Sequence, residues 1–214
     1  MSSPCYLKLP IQGERVKVNG YLIWDSSSGE AMVIDPGGQA DMIYHTLDRG
    51  RLRLKYIVLT HGHFDHIAAV RSLKHFCPAA VCMCPADREF ICDSEKNAAN
   101  FAGASPVESF DIDISLTDGK KLFLGEKYIT VMETPGHTPG QISLFFAGHI
   151  FCGDTILRGS TGRMDLYGAN YTLARKSIIE RIFRFPGSTV LHCGHGEDSS
   201  VEYERKNSTI LSSL

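Results

Sequence analysis

The sequence has no long apolar run and no excess of one charge. Its 214 residues include 22 Lys and Arg against 24 Asp and Glu, so the formal net charge is -2. A chain balanced in this way has no positive field to attract a phosphate backbone, and we expect no nucleic-acid partner. No stretch approaches the roughly 20 apolar residues that cross a bilayer, and residues 1–10 lack the features of a secretion signal. These absences predict a cytoplasmic protein without a membrane partner.

Cysteine is present in an odd number, which excludes a complete disulfide framework and favours a reducing compartment. The seven cysteines are Cys5, Cys77, Cys82, Cys84, Cys92, Cys152 and Cys193. Cys82 and Cys84 are separated by one residue inside an apolar run, which favours a buried strand over a metal clip. We therefore expect most of these side chains to pack as small apolar groups, without a catalytic role.

Apolar runs and turn residues divide the chain into strand-like and helix-like segments. Runs bounded by turn residues predict strands at 21–24, 31–34, 56–59, 80–84, 121–124, 128–132, 142–146 and 189–192. Apolar spacing predicts helices at 39–47, 67–76, 86–92, 173–185 and after Ser200, with loops at 97–106 and 158–170. This order predicts two stacked sheets with helices outside them. No linker or short repeat interrupts the series, so we expect one domain over residues 1–214.

One segment concentrates metal-binding side chains directly after a predicted strand. Residues 60–66, T-H-G-H-F-D-H, contain His61, His63, Asp65 and His66. Alternate side chains of a strand share a face, so His61 and His63 can point the same way while Asp65 and His66 point to an adjacent position. This arrangement suits two metal ions. Imidazole and carboxylate groups bind Zn²⁺, Fe²⁺ and Mn²⁺, so the residue types do not identify the metal.

Three further ligand candidates occur in glycine-flanked turns after strand-like runs. His137 lies in T-P-G-H-T-P-G, Asp154 in G-D-T and His195 in G-H-G. Glycine allows the backbone to turn tightly and to approach an ion. Four other histidines lack a partner cluster and are expected to have no direct role: His45, His75, His149 and His192.

The motifs H-x-H-x-D-H, T-P-G-H-T-P-G, G-D-T and G-H-G, in this order, resemble the metallo-β-lactamase superfamily over nearly the whole chain. The resemblance implies an α/β (α+β) fold, a four-layer αββα sandwich of two mixed sheets with helices on the outer faces. It implies a first metal held by His61, His63 and His137, a second held by Asp65, His66 and His195, and Asp154 bridging both. The segment V-I-D-P-G also resembles a family motif, in which Asp35 would orient ligands without binding the metal.

Within the superfamily, the T-P-G-H-T-P-G turn and residues 159–166 resemble short, single-domain members of the glyoxalase II group. The resemblance implies cleavage of a small thioester, such as a hydroxyacylglutathione. Long members add a C-terminal helical glutathione-binding region, which we do not expect here, so the thiol half of the substrate stays open. Candidate substrate contacts are Arg163, Tyr167 and Tyr171. Arg163 would bind either a substrate carboxylate or Asp165.

The expected chemistry is metal-assisted hydrolysis by two divalent ions, taken as Zn²⁺ with iron or manganese as alternatives. A bound cation brings the pKa of coordinated water from near 15.7 to roughly 7, and a metal-bridging hydroxide would attack the thioester. Asp65 would orient this nucleophile as the catalytic carboxylate. The chain contains no G-x-S-x-G motif, so nothing in it indicates a serine nucleophile.

Other functions of the same superfamily remain open at this point. The main alternative is a persulfide dioxygenase with a single iron, whose ligands here would be His61, His137 and Asp154. A lactonase or β-lactamase needs the same hydroxide and differs in pocket shape. A nuclease would carry an inserted domain and basic surfaces. A flavodiiron protein would carry a flavin domain, and a non-catalytic member would have an incomplete set of metal ligands. These features are not found in the sequence, which also does not indicate the oligomeric state.

Overall fold

Residues 5–211, which the computed structural model describes, form two six-stranded β-sheets. The first sheet follows the order of the chain: β1 (Cys5–Gln12), β2 (Lys17–Trp24), β3 (Glu30–Ile34), β4 (Arg53–Val58), β5 (Ala80–Met83) and β6 (Ile114–Ser115). Strands β1 to β3 pair antiparallel, whereas β3 to β6 pair parallel. The sheet is therefore mixed, and its parallel strands are joined by crossover connections.

The second sheet is built from the other half of the chain. Its strands are β7 (Lys121–Leu124), β8 (Lys127–Glu133), β9 (Ile142–Phe146), β10 (His149–Gly153), β11 (Val190–Cys193) and β12 (Ser199–Ser200). They lie in the order β12-β11-β10-β9-β8-β7, and the β10–β11 pair is parallel while the other neighbours are antiparallel. This sheet is also mixed.

The described part of the chain also contains six α-helices: α1 (Ala40–Arg49), α2 (Phe64–Ile67), α3 (Val70–Phe76), α4 (Ala99–Ala102), α5 (Tyr171–Glu180) and α6 (Val201–Asn207). Short 3₁₀ helices span Pro85–Phe90, Ile182–Arg184 and Thr209–Leu211. Side chains of Asn170 and Ser200 accept hydrogen bonds from the first turns of α5 and α6, which fixes where these helices begin. No described helix combines the length and the apolar character that crossing a membrane requires.

The alternation of side chains along the strands produces the four layers. Ile23, Ile34 and Val58 of the first sheet belong to the same buried cluster as Val131 and Leu144 of the second. Their sequence neighbours point the other way: Leu22, Val33 and Ile57 pack with α1 and α3, and Met132 and Cys152 pack with α5 and α6. Because each sheet is apolar on both faces, each is covered on both. The predicted αββα sandwich is confirmed.

The predicted elements differ from the observed ones at several boundaries. The predicted helix at 67–76 is divided into α2 and α3, which are separated by Ala68 and Ala69, and the predicted helix at 86–92 is a 3₁₀ helix that begins at Pro85. A four-residue helix, α4, lies inside the predicted loop at 97–106. Strands β1, β6, β10 and β12 were not predicted. His149 begins β10 immediately after the turn at Ala147 and Gly148.

All seven cysteines are free thiols. Cys82 is 0% exposed, and burial raises the pKa of its thiol to about 12, whereas Cys92 is exposed. Because the thiolate is the reactive form, we expect iodoacetamide at pH 8 to modify Cys92 first and to leave Cys82 and Cys193 unmodified until the protein unfolds. Peptide mass spectrometry over time measures this order. Equal rates of modification at Cys82 and Cys92 in the native protein would contradict the placement of Cys82 in a buried strand.

Candidate metal centre

The predicted ligands lie in segments that follow the carboxyl ends of four strands, and Asp65 and His66 belong to the short helix α2. Residues 60–66 follow β4 of the first sheet. His137, Asp154 and His195 follow β8, β10 and β11 of the second sheet. The structure therefore brings the candidate residues to one edge of the sandwich, with contributions from both sheets.

The first group of donors consists of His61, His63 and His137. One ligand atom from each lies within 4.8 Å of the others, and all three residues are buried. The Nδ1 of His63 is 2.9 Å from the Nε2 of His137. Two residues of this group come from the loop after the first sheet's β4, and one comes from the second sheet.

The second group consists of Asp65, His66 and His195, whose ligand atoms also lie within 4.8 Å of one another. The Nε2 of His195 is 3.2 Å from the Nε2 of His66 and 3.2 Å from the Oδ2 of Asp65. The two groups draw their residues from the chain in the same way, since two residues of each follow β4 and the third follows a strand of the second sheet.

Asp154 lies between the two groups. Its Oδ2 is 3.6 Å from the Nε2 of His137 and 3.5 Å from the Nε2 of His195, and its Oδ1 is 3.6 Å from the Nε2 of His66. The carboxylate thus faces one histidine of the first group and two members of the second. This position suits the bridging role that the sequence predicts for Asp154.

Hydrogen bonds on the opposite ring nitrogen orient the histidines. The Nδ1 atoms of His66, His137 and His195 contact the Asp35 carboxylate and the carbonyl oxygens of Arg163 and Lys17, at 2.9, 2.9 and 2.7 Å. Because these oxygens only accept, each Nδ1 donates, and Nε2 is the ring nitrogen that faces the cluster. This is the arrangement by which outer hydrogen bonds fix a metal-binding imidazole.

Asp35 occupies a strained turn beneath the cluster. Its φ of +50° is unusual for a residue with a side chain. Its carboxylate accepts hydrogen bonds from the backbone N–H of Thr60 at 2.8 Å, from the Thr60 hydroxyl at 2.7 Å and from His66. Since these donors occupy its oxygens, the geometry suits the predicted role of orienting ligands.

Three polar atoms of the cluster are buried without a hydrogen-bond partner: His61 Nε2, His63 Nε2 and Asp154 Oδ1. An unpaired buried polar atom is costly, and a metal ion is one way to satisfy it. Burial and the neighbouring His137 lower the pKa of His63 to about 3, and burial likewise lowers the pKa of His61. Both imidazoles are therefore neutral near pH 7, which is the form that binds metal.

The carboxylates give the cluster its attraction for positive charge. Burial alone would lower the pKa of His195, but Asp154 and Asp65 outweigh burial and raise it to about 10. In the same way, Asp65 and Asp35 raise the pKa of His66. Without metal, protons on these imidazoles supply positive charge beside two buried carboxylates. A divalent cation bound there would supply the positive charge instead, and the imidazoles would release their protons. The imidazole and carboxylate donors fit a divalent metal.

A cavity of about 340 Å³ opens beside these ligands. Five of the predicted ligands line it, namely His63, Asp65, His137, Asp154 and His195. Its remaining wall is largely apolar and includes Val16, Phe64, Phe101, Leu157 and Leu166. A larger groove of about 720 Å³ is lined by Arg71, Arg88 and Glu108 among others, and by none of the predicted ligands. The small cavity is therefore the candidate substrate site.

The three predicted substrate contacts have different surroundings. Arg163 lines the cavity, its guanidinium forms two hydrogen bonds to Asp165 at 2.9 and 2.6 Å, and it lies 4.5 Å from the ring centre of Phe101. The hydroxyl of Tyr167 donates to Glu89, and that of Tyr171 donates to the carbonyl of Ile210. Neither tyrosine is among the residues that line the cavity.

Sequence reasoning missed residues that hold the ligand loops from a distance. The Asn19 amide donates to the carbonyls of Cys193 and Gly196, and the Tyr21 hydroxyl donates to that of Cys193, so β2 fixes the loop that carries His195. Asp87 contacts two other ligand loops. No local motif marks these residues. The available signal was the position of Tyr21 in a predicted strand. It indicates that the side chain is buried, but it does not predict the hydrogen bond to Cys193.

Comparison with known proteins agrees with this geometry. The sequence profile of the Metallo-beta-lactamase superfamily matches residues 13–198. Hydroxyacylglutathione hydrolase GloC of Haemophilus influenzae is 30% identical over 200 residues, which cover 91% of this chain and 93% of that protein.

Two solved structures are also similar. The crystal structure of BLEG-1 B3 metallo-beta-lactamase has a TM-score of 0.89 and 31% identity, covering 97% of this chain and 100% of that one. The crystal structure of TTHA1623 in a di-iron-bound form has a TM-score of 0.82 and 28% identity, covering 94% and 98%. Since the family profile matches most of the chain, the resemblance seen in the motifs is confirmed: the chain belongs to the metallo-β-lactamase superfamily, whose members are metal-dependent hydrolases.

Proposed function

We propose that this protein hydrolyses small thioesters of the hydroxyacylglutathione type with the help of two divalent metal ions. The observation that carries the proposal is the convergence of His61, His63, His137, Asp65, His66, His195 and Asp154 beside one cavity. The similarity to GloC, named a hydroxyacylglutathione hydrolase, supports the thioester substrate. The reaction adds water across the C–S bond and yields an acid and a thiol.

The ligand assignment follows the two donor groups. His61, His63 and His137 would hold one ion, the group containing Asp65 would hold the other, and Asp154 would contact both. Bound there, such ions act as Lewis acids and lower the pKa of water. We propose Zn²⁺ as the native metal, with iron or manganese as alternatives. The di-iron form of TTHA1623 supports the iron alternative.

The chain's own side chains would orient the reactants. Asp65 lines the cavity, and one of its oxygens lies 3.2 Å from His195. We assign it the role of accepting a hydrogen bond from the attacking water, which fixes the direction of approach. The apolar wall formed by Val16, Leu157 and Leu166 would exclude other water from the acyl group. A thiolate leaves readily, so the proposal needs no proton donor on the sulfur.

Arg163 is the proposed contact for an anionic part of the substrate. It lines the cavity, and its partner Asp165 has an exposed side chain. An exposed ion pair contributes little stability, so a substrate carboxylate can compete for the guanidinium. Because His137 contacts only the backbone carbonyl of Arg163, this side chain can change without loss of that hydrogen bond.

The proposal is tested with protein purified without added metal. Elemental analysis gives the metal and its stoichiometry, and a panel compares lactoylglutathione, a small lactone, a β-lactam and glutathione persulfide. We expect two divalent ions per chain and the highest kcat/KM for the thioester, with Arg163→Ala raising KM while metal content is unchanged. Arg49→Ala, on the exposed side of α1, is the matched control. One iron with oxygen uptake on the persulfide, and no thioester cleavage, would replace this proposal by the dioxygenase function.

A further inference from the structure

Asp87 is a fully buried carboxyl group that belongs to neither donor group. It lies in the 3₁₀ helix Pro85–Phe90, directly after β5, and is 0% exposed. A buried carboxyl group is costly unless hydrogen bonds compensate it. Burial raises the pKa of Asp87 to about 6, although its hydrogen-bond donors act in the opposite direction. The proposed reaction makes no use of this group, so its contacts need an explanation.

The contacts of Asp87 connect two ligand loops. Its Oδ2 accepts hydrogen bonds from the backbone N–H of Gly62 at 3.0 Å and from the Thr138 hydroxyl at 2.6 Å. Its Oδ1 accepts from the backbone N–H of Gly140 at 2.5 Å. Gly62 lies between His61 and His63, and Thr138 follows His137. A single carboxylate therefore joins the loop carrying two ligands of the first group to the loop carrying the third.

Close packing holds this connection in place. A Cβ added to Gly62 would meet the Cβ of Phe90 at 2.4 Å, and one added to Gly140 would meet the Cγ of Asp87 at 2.7 Å. Both loops thus press directly on the 3₁₀ helix through glycine. The backbone leaves no room for either loop to move toward the helix.

We propose that Asp87 is a positioning residue that fixes the first group's geometry by joining its two loops, and so sets the affinity of that group for a metal ion. The inference rests on the ligand assignment proposed above. The spacing it would maintain is that between His63 and His137, whose nearest ring nitrogens are 2.9 Å apart. Groups that orient ligands from outside typically contribute 10–100-fold to metal affinity.

The carboxylate cannot be replaced by the amide of the same shape. All three partners of Asp87 donate hydrogen bonds, and a carboxylate only accepts. In Asp87→Asn the amide nitrogen must face either Gly140 or the pair formed by Gly62 and Thr138. In either orientation a buried backbone N–H faces an NH₂ group in place of an acceptor oxygen, which weakens the connection between the loops while the volume of the side chain is unchanged.

The experiment compares Asp87→Asn with the parent protein by Zn²⁺ titration against a chromophoric chelator, together with thermal unfolding without metal. We expect the affinity of one of the two sites to fall at least tenfold. Asp25→Asn is the matched control, because Asp25 is a buried carboxylate that accepts hydrogen bonds in the β2–β3 turn from Ser27 and Ser28. The Zn²⁺ affinity of Asp25→Asn should stay within about twofold of that of the parent protein. Equal affinities in the two variants would overturn the positioning role.

A second variant keeps the test decisive if Asp87→Asn does not fold. Thr138→Val removes one donor to Asp87 and keeps the side-chain shape, and we expect a threefold or larger loss of Zn²⁺ affinity while the metal-free protein still unfolds in one cooperative thermal transition. Unchanged affinity would overturn the proposal. Absence of Zn²⁺ binding by the parent protein would refute the ligand assignment and this proposal together. Normal Zn²⁺ binding without thioester cleavage would refute only the proposed substrate.

Discussion

Asp154→Ala is expected to abolish metal binding and turnover together. The Asp154 carboxylate lies within 3.6 Å of His137, His195 and His66, so its removal takes a donor from both proposed ions at once. The loss of kcat/KM should exceed the 10–100-fold that is typical of groups that only orient ligands. The removal also leaves several buried imidazoles without their neighbouring negative charge, which further disfavours a cation in the site.

The measurement combines elemental analysis of the purified variant with steady-state kinetics on the thioester. Asp48→Ala provides the matched control, since Asp48 is exposed on α1. It should keep the parent protein's metal content and activity. Full activity with normal metal occupancy in Asp154→Ala would refute the shared-ligand assignment.

The second large effect is expected from Gly37→Ala. A Cβ at Gly37 would lie 1.5 Å from the backbone oxygen of Asp65 and 2.7 Å from the Cγ1 of Val18. Such an overlap forces the backbone of the 60–66 loop to move, and overpacking of this kind costs typically about 1–3 kcal/mol and occasionally more. Since Asp65 and His66 are adjacent, we expect metal to be lost from the second group as well. Chemical denaturation gives the free energy of unfolding, and Zn²⁺ titration gives the affinity.

Gly119→Ala separates steric overlap from backbone strain. Gly119 has a φ of +75°, and a Cβ there meets no atom within 4 Å. This variant should lose only the roughly 1–2 kcal/mol of a left-handed residue and keep its metal affinity. If Gly37→Ala is no less stable than Gly119→Ala and binds metal equally well, that result would contradict the close approach of residue 37 to the backbone of Asp65.

The sequence predicted those parts of the fold that depend on local patterns. Apolar runs predict β2, β3 and β4, and because alternate side chains of a strand point to opposite faces, neighbouring residues such as Ile23 and Leu22 lie in different layers. Strand β1 was missed because Pro10 interrupts the otherwise alternating series of Leu7, Leu9 and Ile11. Proline is tolerated there because β1 lies at an edge of its sheet.

The candidate site also has residues that the sequence predicts and residues that it does not. The ligand candidates occur in short motifs, so the sequence names them, and the structure then brings their side chains together. Asp87, Asn19 and Tyr21 act through contacts between segments far apart in the chain, and no spacing rule predicts those contacts. Tyr167 and Tyr171 show the converse, because closeness in sequence to Arg163 did not place them on the cavity wall.

The division of ligands between the two sheets has a mechanical consequence. Each donor group takes two residues from the loop after β4 and one from a loop of the second sheet, and Asp154 also follows a strand of that sheet. An ion in either group would therefore act as a cross-link between the halves of the sandwich, and its binding free energy would oppose their separation. Chelators should then lower the force or denaturant concentration at which the halves part, even where every strand keeps its own neighbours.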